Sequence, residues 1–476
     1  MRNLLGVWAV HLQIFKSSNS QINLCYFRLL MRKEANQTIK LAVPIIIGEL
    51  AQMALHIIDS AMVGAISYKH LAAAALVINA MNIPFVLGIG MTISVSQMVS
   101  MAHGRRDNEG VSHFFYNGFW LCTVTAVLIS IIMICSRFVL PHMGQDPEVV
   151  KLAIPFMELM GFSIIPMLLF MTLKQFTDGL EFTRTAMLLS LLAMPLNIFL
   201  NWLLIYGNLG FPRLELNGAG WATLISRTTI FLALGWIVLK HKTFSPYISL
   251  SKSQWNFRKK TWKELLRIGV PSSLQIGMEA GAFAVSGIII GTISAVAQAA
   301  HQIALSCAAF TFMVSMGLAQ AGSIRVSNAF GRKDWTKITV IGKSTLITAL
   351  IYGSICAILF AVFRKDLPLF FNNDISVIQL AAYLLIFAAV FQISDSTQAI
   401  GAGLLRGIKD VKIPTLLIAI AYWVVGIPSG FLFAFYFDMG AAGMWLGFIV
   451  GLTAASVFLI IRFLQMTRKN KSKVKS

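Results

Sequence analysis

Twelve apolar runs, each close to twenty residues or longer, follow one another along this chain. They cover approximately 41–63, 72–100, 113–136, 152–173, 185–206, 218–239, 265–290, 298–324, 344–363, 376–400, 413–436 and 441–461. A bilayer core of ~30 Å is crossed by about 20 helical residues. In lipid the backbone must satisfy its own hydrogen bonds, so runs of this length spell helices. The expected fold class is all-α: a polytopic membrane protein with twelve transmembrane helices and no soluble domain between them. A mean hydropathy of +0.75 agrees.

The net charge of +20 would suggest nucleic acid in a soluble protein, but its placement does not. With both termini on one side, that side holds most of the 39 Lys and Arg. The opposite loops hold Lys69, Arg137, Lys151, Arg213, Arg364 and Lys365. The positive-inside rule then puts both termini in the cytoplasm and rejects a nucleic-acid partner. Five cysteines stand singly, without metal-ligand spacing, and a disulfide framework is not expected. Leu4–Phe15 contains His11 and Gln13 and is a poor signal sequence. It reads as part of a cytoplasmic or interfacial extension upstream of a possible start at Met31.

The chain also repeats itself. A shift of 227 residues lays Leu41-Ala-Val-Pro44 on Ile268-Gly-Val-Pro271, and Gly104-Arg-Arg-Asp107 on Gly331-Arg-Lys-Asp334. Near the end of each half, Gly218-Ala-Gly-Trp221 resembles Ala441-Ala-Gly-Met-Trp445. Six spans per half is an even number, so both halves start from the same side as parallel repeats. The expected organisation is an N-terminal extension (1–37), a first lobe (38–240), a cytoplasmic linker (241–263), a second lobe (264–464) and a basic tail (465–476). Two six-helix bundles around a central cleft suit alternating access by rocking.

Ionised side chains at membrane depth cost roughly 2.5–3.5 kcal/mol on insertion scales and mark function by default. In the first span, Glu49, Gln52, His56 and Asp59 recur at spacings of 3, 4 and 3, which is one helix face. A polar packing seam is the plain reading. The sharper one is an ion site completed by Asn197 and Asn201, one turn apart in the fifth span. A carboxylate with amide oxygens suits Na⁺, or a proton-switched network. In the second half, Gln275 and Glu279 lie one turn apart, and Gln392, Asp395 and Gln398 recur every three residues. Two carboxylates that approach each other repel, and a bound cation or proton relieves this. The plain alternative is isolated acids lining a hydrated cavity. The repeat does not copy them, since Asp59 aligns with Ser286. Asp178 reads as a local ion pair with Lys174, four residues before it. Arg227 and Glu158 are ambiguous between a transport role and snorkelling or pairing near span ends, and His301 reads as a hydrogen-bonded interior histidine, with titration the alternative. No Walker sequence, H-E-x-x-H or G-x-S-x-G appears, which argues against direct ATP use and against an enzyme.

These residues resemble the multidrug and toxic compound extrusion (MATE) family, NorM-type, from about Lys40 to Leu464. The resemblance rests on Ile58-Asp-Ser-Ala-Met-Val-Gly64 with Leu71-Ala-Ala73, on Gly104–Asp107, and on Phe176-Thr-Asp-Gly179. It also rests on Pro195–Trp202, on Gly269-Val-Pro271 with Glu279, and on Gly401–Gly407 after Asp395. It implies a multi-pass antiporter of the cell inner membrane that expels cationic amphipathic drugs or dyes against inward Na⁺ or H⁺. No cofactor beyond the coupling ion and a monomeric state are expected. Carried over by position, Asp59, Asn197 and Asn201 match a cation site in the first lobe. Glu279 and Asp395 match Na⁺-binding acids of the second lobe, and Asp178 a supporting acid. Glu49, Gln52, His56, Gln275 and Gln392 are expected to support these sites or line the substrate cavity. The rivals are a lipid-linked saccharide flippase of similar architecture and a membrane-embedded enzyme. The first calls for more basic residues facing its cavity, the second for clustered nucleophile, base or metal ligands.

Overall fold

The computed structural model describes residues 2–142, 144–248 and 255–475, with side chains described between Leu29 and Ser472. Among the described residues there is no strand, and twelve helices are long and apolar enough to cross a membrane. They are α1 (Arg2–Gly64), α2 (Tyr68–Gly104), α3 (Asn108–Cys135), α4 (Pro147–Gly179), α5 (Thr183–Tyr206) and α6 (Glu215–Lys240). The second half supplies α7 (Lys259–Gly291), α8 (Ala295–Gly331), α9 (Trp335–Val362) and α10 (Ile375–Gly407). Completing it are α11 (Lys412–Tyr436) and α12 (Ala441–Lys475). The chain is thus an all-α, multi-pass membrane protein of two six-helix bundles.

Several helices outrun the apolar stretches that announce them. α2, α4, α8 and α10 continue through polar residues to Gly104, Gly179, Gly331 and Gly407. Those extra turns are not in lipid. α2 is buried on every side from Gly90 to Ala102, and α8 from Ala321 to Ala329. Serines and glutamines are tolerated there because protein groups satisfy them. At its start α1 is continuous from Arg2, so the expected boundary at residue 37 falls within one helix.

The internal repeat has a structural meaning at three pairs of helix starts. Ser67 accepts from His70 N and Ser294 from Ala297 N. Asp107 accepts from Gly110 N at 2.8 Å and Asp334 from Lys337 N at 2.9 Å. Asp146 and Asp374 cap α4 and α10 in the same way. These are N-caps, which satisfy amide groups a helix leaves open. At Asp374 the bonds from Ser376 hold the carboxyl below the usual carboxylate range. The residue before each Gly-Arg-x-Asp aspartate takes a left-handed turn, φ 59° at Arg106 and 58° at Lys333. The shared motif is therefore a turn-and-cap unit that reverses the chain between α2 and α3, and again between α8 and α9.

Helix pairing repeats as well. α2 packs on α4 and α7, as α8 packs on α10 and α1, with α2 against α8 on the pseudo-twofold axis. The halves meet through bare backbone. A Cβ on Gly104 would lie 2.1 Å from Asn328 O, and one on Gly331 would lie 2.1 Å from Met101 O. A Cβ on Gly90 would lie 2.3 Å from the Ser273 Cα. Polar bonds cross beside them. Ser100 Oγ donates to Ile324 O at 2.8 Å, and Gln97 Oε1 accepts from Ser323 at 2.9 Å and Ser327 at 2.6 Å. Deeper towards this end, Arg325 of α8 clamps α1. It donates to Glu34 O and Thr38 Oγ1, each at 2.6 Å, to Gln37 Oε1 at 2.6 Å, and pairs with the Glu34 carboxylate. Both partners are buried, Arg325 to 7% exposure and Glu34 to 6%.

Towards the opposite end α2 and α8 expose residues such as Ile78, Ile83, Gln298 and Gln302. The bundles are therefore fastened at the end that carries the two Gly-Arg-x-Asp turns. Replacing Gly104 or Gly331 by Val drives a side chain into a carbonyl that cannot move aside. Overpacking of this kind costs about 1–3 kcal/mol. Each variant should lower the unfolding midpoint of the purified protein by several degrees, whereas the same change at Gly235, where a Cβ would meet nothing nearer than Leu173 at 3.7 Å, should not. An unchanged midpoint in both seam variants would refute the contact.

Candidate functional site

α1 and α5 bring the first set of expected residues together. Asn201 Nδ2 donates to Asp59 Oδ1 at 2.7 Å and to Asn197 Oδ1 at 2.9 Å. Both asparagines are fully buried. Asn201 Oδ1 and Asn197 Nδ2 meet no hydrogen-bond partner among the described residues. An acceptor left open beside a carboxylate is the kind of oxygen pair that a hard cation takes. Gln52 and His56 line the same cavity, with Ser190, Thr223 and Arg227.

Arg227 corrects the sequence reading. It neither snorkels nor sits near a span end; it is 6% exposed in α6 and its Nη1 donates to Ser163 Oγ at 2.7 Å. It lines both cavities that Asp59 lines, so a buried guanidinium stands opposite the carboxylate. A mid-span arginine needs a counter-charge, and that requirement was the available signal. Glu158 does pair near a span end, with Arg137.

Glu49 parts company with its neighbours on α1. Its Oε1 accepts from Lys174 Nζ of α4 at 2.9 Å. The same ammonium lies 3.6 Å from Asp178 Oδ2, which confirms the expected local pair and extends it to a triad. Lys174 and Asp178 are essentially inaccessible, at 2% and 0% exposure. Asp178 Oδ2 also accepts from Gln320 Nε2 of α8 at 3.1 Å, and Gln175 Oε1 from the same nitrogen at 3.2 Å. The triad is thus tied across the seam.

In the second bundle Glu279 accepts from the Tyr422 hydroxyl at 3.0 Å. Tyr422 lies in a π-helical turn of α11, Ile420–Gly426, a widened turn that frequently marks functional positions. Asp395, 2% exposed on α10, lies within electrostatic reach of Glu279. Gln275, Gln320 and Arg406 line the cavity of Glu279. Gln320 therefore belongs to both halves: it bonds Asp178 and faces the space around Glu279. Gln392 and Gln398 are buried, and no side-chain atom of either meets a partner among the described residues. His301 is a second correction. Neither ring nitrogen meets a partner there, and the ring instead packs edge-on to Trp445 at 5.8 Å.

Tyr422, Arg406 and Gln320 were not anticipated. Tyr422 reaches a helix 143 positions away, and nothing local to it signals that partner. Gln320 is a single polar residue in a small-residue stretch and reads equally well as packing. Among the described residues no group of three or more His, Cys, Asp or Glu gathers into a metal centre.

Comparison with known proteins agrees with this arrangement. The MatE family signature matches residues 44–203 and 271–432, once in each half. The multidrug resistance protein MdtK of Yersinia pseudotuberculosis serotype O:1b (strain IP 31758) is 32% identical over 90% of this chain and 95% of its own length. The probable multidrug resistance protein NorM of Rhizobium meliloti (strain 1021) is 33% identical over 90% and 93%. Among solved structures, the eukaryotic MATE transporter AtDTX14 superposes with a TM-score of 0.84 at 20% identity. That match covers 94% of this chain and 100% of the other. A MATE in the bent conformation gives 0.86 at 20% identity, covering 94% and 99%. At that identity the structures speak for the fold, and the sequence relatives for the family. This chain belongs to the MatE family of multidrug transporters and is not an enzyme.

Proposed function

We propose that this chain is a secondary antiporter that exports cationic amphipathic compounds in exchange for inward Na⁺ or H⁺. It acts as a monomer in the cell inner membrane with both termini cytoplasmic. The observation that carries the reading is the placement of the acids. Asp59 and Glu279 stand in separate bundles, each in a confined cavity with few partners, and the fastened seam lies between them.

Each site contains what a small cation needs. Asp59 has the open Asn201 oxygen beside it, and Glu279 has Asp395 within reach and the Tyr422 oxygen against it. Arginines in the cavity walls (buried Arg227 beside Asp59, partly buried Arg406 beside Glu279) balance part of the negative charge before an ion arrives. A drug cation and the coupling ion then compete for the same carboxylates. Uptake of the ion neutralises the acid, weakens its hold on the drug, and biases the bundles towards the opposite opening. Either ligand moves the equilibrium only by its differential affinity for the two states. An inside-negative potential adds about 2.3 kcal/mol per charge per 100 mV to inward cation movement. The Glu49–Lys174–Asp178 triad is bonded across the seam through Gln320, and we assign these residues the coupling between the two acid sites. The fastened end carries most of the basic loops, which makes it the cytoplasmic end under the positive-inside rule.

Two experiments check this. Purified protein in liposomes, given a cationic dye and either a Na⁺ or a pH gradient, should move dye against its gradient under at least one of them. Failure under both would sink the antiport reading. At matched insertion, Asp59→Asn and Glu279→Gln should each slow gradient-driven dye movement roughly tenfold or more, which corresponds to only about 1.4 kcal/mol. Unchanged rates in Asp59→Asn would remove that acid from the mechanism.

A further inference from the structure

Between α1, the α4–α5 turn and the start of α9 lies a cavity of about 550 Å³. Its lining holds five cations, Lys40, Arg184, Arg325, Arg332 and Lys337, against one acid, Glu181. Arg325 is satisfied by Glu34. No carboxylate among the described residues forms an ion pair with the other four.

The pseudo-twofold axis supplies a control for this surface. Adding 227 to Lys40, Leu41 and Pro44 gives Arg267, Ile268 and Pro271 of α7; subtracting it from Asn328 and Arg332 gives Met101 and Arg105 of α2. On that side the linker closes the groove. Phe244, 1% exposed, packs in one apolar cluster with Met101, Ile268 and Val411. Tyr247 O accepts from Ser112 Oγ at 2.5 Å, and the Tyr247 hydroxyl meets His103 Nδ1 at 3.2 Å. Some charges there are paired, Lys409 with Glu264, Asp410 with Arg462 and Arg105 with Asp107, while Arg267 forms no ion pair among the described residues. The fold therefore makes the same groove twice. One copy is plugged by the chain; the other is open and cationic.

We propose that the open copy binds the phosphate of an acidic membrane lipid. Phosphate is the anion that guanidinium and ammonium groups converging from several helices recognise best. A lipid is favoured over a soluble anion by what flanks the cavity. Ile39 and Val43 of α1 are 40% and 44% exposed, and Phe182 on the cavity wall is 41% exposed, so acyl chains have an apolar path beside the charges. The lining comes from α1 and the α4–α5 turn of one bundle and from α8 and α9 of the other. A bound phosphate therefore bridges the bundles at their fastened end and favours the conformer in which that end is shut.

The test uses the purified full chain and native mass spectrometry, with phosphatidylglycerol or phosphatidylcholine added. The wild type should retain phosphatidylglycerol selectively. Lys40→Gln/Arg184→Gln/Lys337→Gln should bind it on the order of 100-fold more weakly, since each basic group near an anionic headgroup contributes about fivefold. Arg184→Gln alone, at an exposed position, should lose about fivefold and serves if the triple variant does not fold. Arg468→Gln/Lys469→Gln/Lys471→Gln removes as many charges from the basic tail and should bind like wild type. The site is overturned if the tail variant loses as much affinity as the triple variant, or if phosphatidylcholine is held equally. Inorganic phosphate should compete weakly; if it protects the protein from thermal unfolding as well as the lipid does, the source is a soluble anion and the lipid assignment falls.

Discussion

Close approach of backbone to backbone at one end of two helical bundles is the contact on which the rest of this molecule depends. Gly104 and Gly331 reach across the pseudo-twofold axis to Asn328 O and Met101 O, and Gly90 does the same against Ser273. Lipid offers helices little hydrophobic drive to associate, so packing of small residues carries the work. With α2 and α8 drawn together there, polar groups become admissible in the membrane interior. Gln97 meets Ser323 and Ser327, Asp178 meets Gln320, and Arg325 meets Glu34. Elsewhere on these helices the same residues would face lipid at considerable cost.

From that joint the two acid sites take their different characters. Asp59 lies in the first bundle with amide partners and a buried guanidinium opposite. Glu279 lies in the second with a phenol, a neighbouring carboxylate and Arg406. The repeat duplicates turns, caps and helix pairing, but not this chemistry. Ser286, the counterpart of Asp59, is buried and its hydroxyl meets no partner among the described residues. The frame is symmetric and the charge within it is not, so each acid has an environment the other does not share.

Much of this architecture is legible in the amino-acid sequence because its causes are local. Length and apolarity alone give the twelve spans, and the Gly-Arg-x-Asp turns work within four residues of themselves. The pairing of Asp59 with Asn197 and Asn201 can be read because a mid-span acid demands a partner and few candidates exist. Glu49 shows the limit of that logic. A 3-4-3 spacing places it on the face of Asp59, yet the neighbour that face meets changes along α1, and Glu49 finds Lys174 instead. Arg227 differs: its place in the middle of the 218–239 run is visible in the sequence, but its partners, Ser163 of α4 and the Asp59 cavity, are not. Tyr422 and Gln320 act across long separations, and composition carries no trace of those meetings. His301 followed a sound generality about buried histidines, and its packing on Trp445 departs from it.

The glycine joint has a mechanical consequence. Side chains that interdigitate must change rotamer before two surfaces part, and each must find its slot again on return. Where Gly104 and Gly331 rest on carbonyls, little is interlocked, and separation merely exposes peptide groups that water solvates at once. Under the proposed rocking, such a joint has a hard stop in the closing direction and a soft release in the opening one. The few polar bonds beside it, rather than the area of the contact, then set how readily it lets go.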